Sequence, residues 1–84
     1  MEEKRLMNAI LYSKEKCQEC DRARSLLESL SVSYLEYKLG TDYDEKQFRA
    51  EFGRRAEFPQ VAIDYKHIGG LKETLQYFKE QKLI

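Results

Sequence analysis

Cys17 and Cys20 stand three residues apart in the run Cys17-Gln18-Glu19-Cys20, the one segment of this sequence whose spacing alone suggests a reaction. Two cysteines at that separation can close a disulfide with little movement of the chain. Cys17 lies just ahead of a helix-like pattern, where unpaired N–H groups and the helix dipole favour an anion. That position lowers a thiol's pKa and raises its thiolate fraction near neutral pH. Cys20 falls in the first turn, among apolar helix residues, and is expected to be less exposed. The asymmetry assigns the roles: Cys17 attacks a disulfide, and Cys20 then displaces the product from the mixed disulfide. Lys14, three residues before Cys17, is either a solvated loop lysine or a group that stabilises the thiolate and binds a substrate carboxylate. Glu19 acts in the opposite sense, since a carboxylate beside a thiolate disfavours its charge.

Metal binding is the competing chemistry. Structural zinc takes about four ligands, usually from two such pairs. Here one cysteine pair and a single histidine, His67, are too few soft ligands, so no metal site is expected. A C-x-x-C next to a strand–helix–strand pattern reads instead as a redox motif.

The elements that position the pair follow from hydrophobic periodicity. Leu6–Tyr12 reads as a buried strand. A helix follows over Cys20–Leu30, with Ala23, Leu26, Leu27 and Leu30 on one face. Val32–Tyr37, rich in aromatic residues, reads as a second strand. Thr41-Asp42-Tyr43-Asp44 offers N-capping side chains for a helix from about Asp44 to Phe52 that stops at Gly53. Val61–Ile63 and Lys66–Ile68 read as two further strands joined by a turn near Asp64. Gly69-Gly70 opens a last helix with Leu71, Leu75 and Phe78 on its inner face. The order β-α-β-α-β-β-α predicts an α/β fold of the thioredoxin-like class, a four-stranded mixed sheet flanked by three helices. The opening strand, crossover helix and strand imply a parallel pair.

Eighty-four residues, 42% of them hydrophobic, suit one modest core and a single domain over 1–84. Fifteen basic and fifteen acidic residues leave no net charge, hence no electrostatic case for nucleic acid or an anionic membrane. The longest apolar stretches are strand-sized. The charged start Met1-Glu-Glu-Lys-Arg lacks the apolar region of a secretion signal. These features point to the cytoplasm, where a structural disulfide is not expected.

Several separated segments resemble the glutaredoxin family. Leu11-Tyr12-Ser13-Lys14, the Cys17/Cys20 pair and Arg22-Ala23-Arg24-Ser25-Leu26-Leu27 resemble its opening. Phe58-Pro59-Gln60-Val61 and His67-Ile68-Gly69-Gly70 resemble its second half, in order and spacing. The ending from Gly69 to Lys79 is most similar to bacteriophage glutaredoxins. The resemblance implies a glutathione-dependent thiol–disulfide oxidoreductase, acting as a monomer, with glutathione as reductant and no metal. Its partners would be disulfide-containing proteins such as a ribonucleotide reductase. It implies that Pro59 is cis and lies beside the active-site sulfur, and that the main chain of Phe58 pairs with the cysteinyl unit of glutathione. Gly70, Leu71 and Lys72 would hold the γ-glutamyl carboxylate at a helix start. Lys14, with one of Arg49, Arg54 or Arg55, would hold the glycine carboxylate.

Three departures from the family pattern bear on that site. Gln18-Glu19 stands where the family often has Pro-Tyr. Lys72 stands where an acidic residue usually meets the amino group of glutathione. Asp64-Tyr65 forms a hairpin turn that commonly contains glycine. Two alternatives therefore accompany the main reading: a redoxin reduced by a thioredoxin reductase, and a dimer holding an iron–sulfur cluster between two Cys17 thiolates and two glutathiones.

Overall fold

A computed structural model describes residues 8–84. Its elements are β1 (Asn8–Ser13), α1 (Gln18–Ser29), β2 (Ser33–Lys38), α2 (Glu45–Phe52), β3 (Gln60–Ile63), β4 (Lys66–Gly69) and α3 (Leu71–Glu80). The strands form one sheet in the order β2-β1-β3-β4. β1 runs parallel to β2, from Asn8 opposite Ser33 to Ser13 opposite Lys38. β3 is antiparallel to β1, and β4 to β3. This is the mixed thioredoxin-like sheet the element order predicts. Among the described residues the first strand covers Asn8–Ser13, one residue past the expected end at Tyr12, and the expected start at Leu6 lies outside them.

Side chains alternate across a strand, and β1 separates two cores accordingly. Ala9 and Leu11 face α1 and α3, where they join Ala23, Leu27, Val61, Ile63 and Phe78 in the main cluster. Tyr12 points to the opposite face and meets Phe52 edge-on at 4.8 Å and Tyr43 at 5.7 Å. Phe48 closes this second cluster against Phe52 at 5.1 Å and Phe58 at 4.1 Å. α2 covers that face near the strand ends that lead to Cys17. Leu35 and Tyr65, farther along, stay exposed.

The helix ends have local causes. Asp44 accepts from the Gln47 N–H at 2.8 Å, and Gln47 returns a bond to the Asp44 N–H at 2.9 Å, a reciprocal cap. Gly53 ends α2 at φ +107°, a conformation that costs glycine little. α1 begins at Gln18, not Cys20, because the Cys17 side chain caps it. In α3 the expected inner residue Leu75 is exposed, and Thr74 is buried in its place. The Thr74 hydroxyl donates to the Gly70 carbonyl at 2.8 Å, which satisfies the polar group in an apolar setting. The hairpin turn dispenses with glycine: Asp64 and Tyr65 both take positive φ, 52° and 68°. Asp64 holds that turn in place by accepting from the Asn8 N–H at 3.1 Å and donating its own N–H to the Asn8 carbonyl at 2.8 Å.

Candidate active site

Cys17 ends the exposed loop Lys14-Glu15-Lys16 and begins α1. Its extended backbone, φ −123°, makes it the residue before the first helical turn. Its Sγ accepts a hydrogen bond from the Cys20 N–H at 3.1 Å. Cys17 and Cys20 are joined as a disulfide with Cα atoms 5.2 Å apart. Cys20 is wholly buried, whereas Cys17 is partly exposed. The amide that points at the Cys17 sulfur is an orphan donor of a helix start, so it stabilises negative charge there once the disulfide opens. Of the two cysteines, Cys17 is thus the more accessible.

Next to this helix start lies an open groove of about 700 Å³, bordered by Glu19, Phe58, Pro59 and the start of α3 from Gly70 to Glu73. Phe58–Pro59 is a cis peptide bond, as the resemblance implies. Gly70 lies against it: a Cβ there would come within 3.4 Å of the Pro59 carbonyl oxygen. Gly69 has φ +132°, and a Cβ on it would sit 2.8 Å from that of Glu73. Backbone strain and crowding together disfavour any other residue at Gly69. Glu73 accepts from the Gly70 N–H at 3.0 Å and so caps α3.

Of the sequence-derived candidates, Phe58, Pro59, Gly70, Leu71 and Lys72 are brought together along this groove. Lys14 sits over the Phe58 ring, 5.1 Å from its centroid, at a distance suited to cation–π attraction. The three candidate arginines separate. Arg49 is engaged elsewhere, donating to the Ala56 carbonyl and to Glu45 and lying 5.4 Å from the centre of the Phe48 ring. Arg55 borders the groove; Arg54 is exposed and does not. Sequence reasoning missed Gln60 and gave His67 no part beyond a failed metal site. Both border the groove, with His67 Nε2 2.7 Å from Gln60 Oε1 and Gln60 Nε2 donating to the Glu57 carbonyl.

A polar network lies on the other side of α1. Arg24 Nε and Nη2 donate to the two carboxylate oxygens of Glu36 at 2.8 and 2.7 Å. Ser13 Oγ donates to the same carboxylate at 2.6 Å, and Arg24 Nη1 reaches Asp21 at 2.8 Å. The Arg24 bonds hold the Glu36 carboxyl at about 2, outweighing the opposing effect of burial, and Ser13 adds to them. A carboxyl whose pKa falls on folding stabilises the fold above its unfolded value, and that stability is lost as pH falls through the folded value. The melting temperature should therefore drop between pH ~4.5 and ~2. Glu36→Gln should flatten that part of the profile, as thermal unfolding at a series of pH values will read.

Comparison with known proteins places these features in a family. The glutaredoxin family model matches residues 9–68. Glutaredoxin 3 of Escherichia coli K12 is 35% identical over 65 residues, 77% of this chain and 78% of that protein. Glutaredoxin-C6 of Oryza sativa subsp. japonica is 33% identical over 78 residues, 89% of this chain and 70% of that one. A buckwheat glutaredoxin crystallised as a glutathione complex is similar with a TM-score of 0.75 and 28% identity, over 89% of this chain and 71% of that one. Reduced Escherichia coli glutaredoxin shares the fold with a TM-score of 0.76 at 22% identity, over 89% and 96% of the two chains. The family model reaches from the second residue of β1 to the third of β4 and so takes in the cysteine pair and the Phe58–Pro59 bond together; the chain belongs to the glutaredoxin family of thiol–disulfide oxidoreductases.

Proposed function

We propose that glutathione is the electron donor and that Cys17 is the attacking and Cys20 the resolving thiol. The observation that carries this reading is the groove bordered by Glu19, in the first turn of the helix that Cys17 caps; its ~700 Å³ falls within the usual size of small-ligand sites. At its edge the Leu71 and Lys72 amides of the α3 start and two cations, Arg55 and Lys72, suit a peptide that bears two carboxylates, beside the acids Glu19, Glu57 and Glu73 that border the same groove. The glutathione bound to the buckwheat glutaredoxin supports the same assignment.

The reaction follows from the exposure of the two sulfurs. The Cys17 thiolate attacks a substrate disulfide, forming a mixed disulfide and releasing one substrate thiolate. Cys20, losing its proton, attacks the Cys17 sulfur, forms the Cys17–Cys20 disulfide and releases the second thiolate. A first glutathione thiolate then attacks Cys17 and frees Cys20; a second removes the first as oxidised glutathione and restores the dithiol. Two electrons pass from two glutathiones to one disulfide.

Each part of glutathione has an assigned place. The main chain of Phe58 pairs with the cysteinyl unit. The γ-glutamyl carboxylate meets the start of α3; the Gly70 N–H is already bonded to Glu73, so Leu71 and Lys72 supply the amides. Lys14 and Arg55 attract the glycine carboxylate. The protein acts as a monomer in the cytoplasm, on protein disulfides such as that of a ribonucleotide reductase.

A coupled assay tests the donor. Reduction of a small mixed disulfide should proceed with glutathione and glutathione reductase, and Arg55→Ala should raise the glutathione KM. Turnover with thioredoxin reductase alone, and none with glutathione, would overturn the assignment. A coloured protein after anaerobic reconstitution with iron, sulfide and glutathione would point to the cluster-binding dimer instead.

A further inference from the structure

We propose that Glu36 is a positioning residue for the redox pair: one carboxylate on β2 ties down both ends of the segment that carries Cys17 and Cys20. The proposal rests on the dithiol chemistry assigned above and names a group that touches neither sulfur.

Ser13 lies four residues before Cys17, and Arg24 lies four after Cys20. Both donate to Glu36. Its Oε2 accepts from Ser13 Oγ at 2.6 Å and from Arg24 Nη2 at 2.7 Å, while its Oε1 accepts from Arg24 Nε at 2.8 Å. The two-pronged contact fixes the plane of the guanidinium as well as its distance. The carboxylate is 18% exposed and the guanidinium side chain 28%, so water screens the contact less than an ordinary surface pair.

The anchors are themselves held. The Ser13 carbonyl accepts from the Leu39 N–H at 2.9 Å and from the Tyr43 hydroxyl at 2.7 Å. Arg24 also binds Asp21, in the same turn of α1 as Cys20. Between the anchors the chain is an exposed loop, with Lys16 at φ +54°, that leads into the start of the helix. The approach of Cys17 to Cys20 is therefore governed by how firmly β1 and α1 are pinned to a common point. Glu36 is that point.

A disulfide closes in proportion to the effective concentration of its two thiols, which pinning raises. Loosening the clamp should favour the dithiol and make the pair a stronger oxidant. The wild type and the variants Glu36→Ala, Ser13→Ala and Arg24→Lys would be equilibrated in dithiothreitol buffers of graded oxidation. The disulfide fraction is read by thiol alkylation and intact mass, with the melting temperature measured in parallel. Glu36→Ala should weaken the Cys17–Cys20 disulfide about tenfold, a shift of ~30 mV, and the other two variants less. Should Glu36→Ala fail to fold, Ser13→Ala and Arg24→Lys carry the test. Variants that melt earlier yet titrate with the wild type would show an ordinary ion pair and overturn the proposal. A wild type that forms no Cys17–Cys20 disulfide in any buffer would sink the dithiol reading itself.

Discussion

Cys17→Ser is expected to lose disulfide reduction with every substrate, whereas Cys20→Ser should keep part of its activity on glutathione mixed disulfides. Cys17 is the partly exposed cysteine and on the proposed reading the one that meets substrate, and a serine hydroxyl in its place is not a usable nucleophile toward sulfur near neutral pH. Cys20 is wholly buried, so its part is confined to attack on Cys17 after a mixed disulfide has formed. A mixed disulfide with glutathione needs no such attack, because a second glutathione can release it. Reduction of a protein disulfide does need it, and Cys20→Ser should fall below detection there. Steady-state rates on the two substrate types check the division. Equal and complete loss in both variants would refute the roles.

Phe48→Ala is expected to cost about 3–5 kcal/mol of stability, a large share of the ~5–15 kcal/mol of a small domain. Phe48 is 1% exposed and stacks on Phe58 at 4.1 Å. Its loss opens a cavity under α2 and also frees the ring next to Pro59, so the glutathione KM should rise in whatever protein remains folded. Leu35, on the uncovered part of the same sheet face, is 59% exposed, and Leu35→Ala should change stability by less than ~0.5 kcal/mol. Urea unfolding of the two variants makes the comparison, and similar costs would show that α2 does not form a core here.

Much of this architecture can be read along the chain, because its signals are local. The 3, 4 and 7 spacing from Ala23 to Leu30 is an amphipathic helix face that the structure packs. Asp44 and Gly53 mark the limits of α2 by their own chemistry. What escapes a linear reading depends on partners distant in sequence. Cysteine is not among the preferred capping residues, so the spacing places Cys17 ahead of a helix but the cap itself is found only from the Cys17 Sγ contact. Thr74 looks polar until its hydroxyl is seen on the Gly70 carbonyl, and Leu75 looks buried until the groove leaves it outside. Arg49 and Arg55 are equivalent as letters, and their separation required the Ala56 carbonyl and Glu45. Glu36 is an acid in an otherwise strand-like run, and its role depends on Ser13 and Arg24, 23 and 12 residues away.

Glutathione is expected to exchange at the Cys17 sulfur. Intact-mass measurement on Cys20→Ser treated with oxidised glutathione tests it most directly. One glutathionyl group is expected, mapped to Cys17 and removed by reduced glutathione, and no comparably fast adduct on Cys20 in Cys17→Ser. An adduct that forms as readily on Cys20, or none on Cys17 at any concentration, would contradict it.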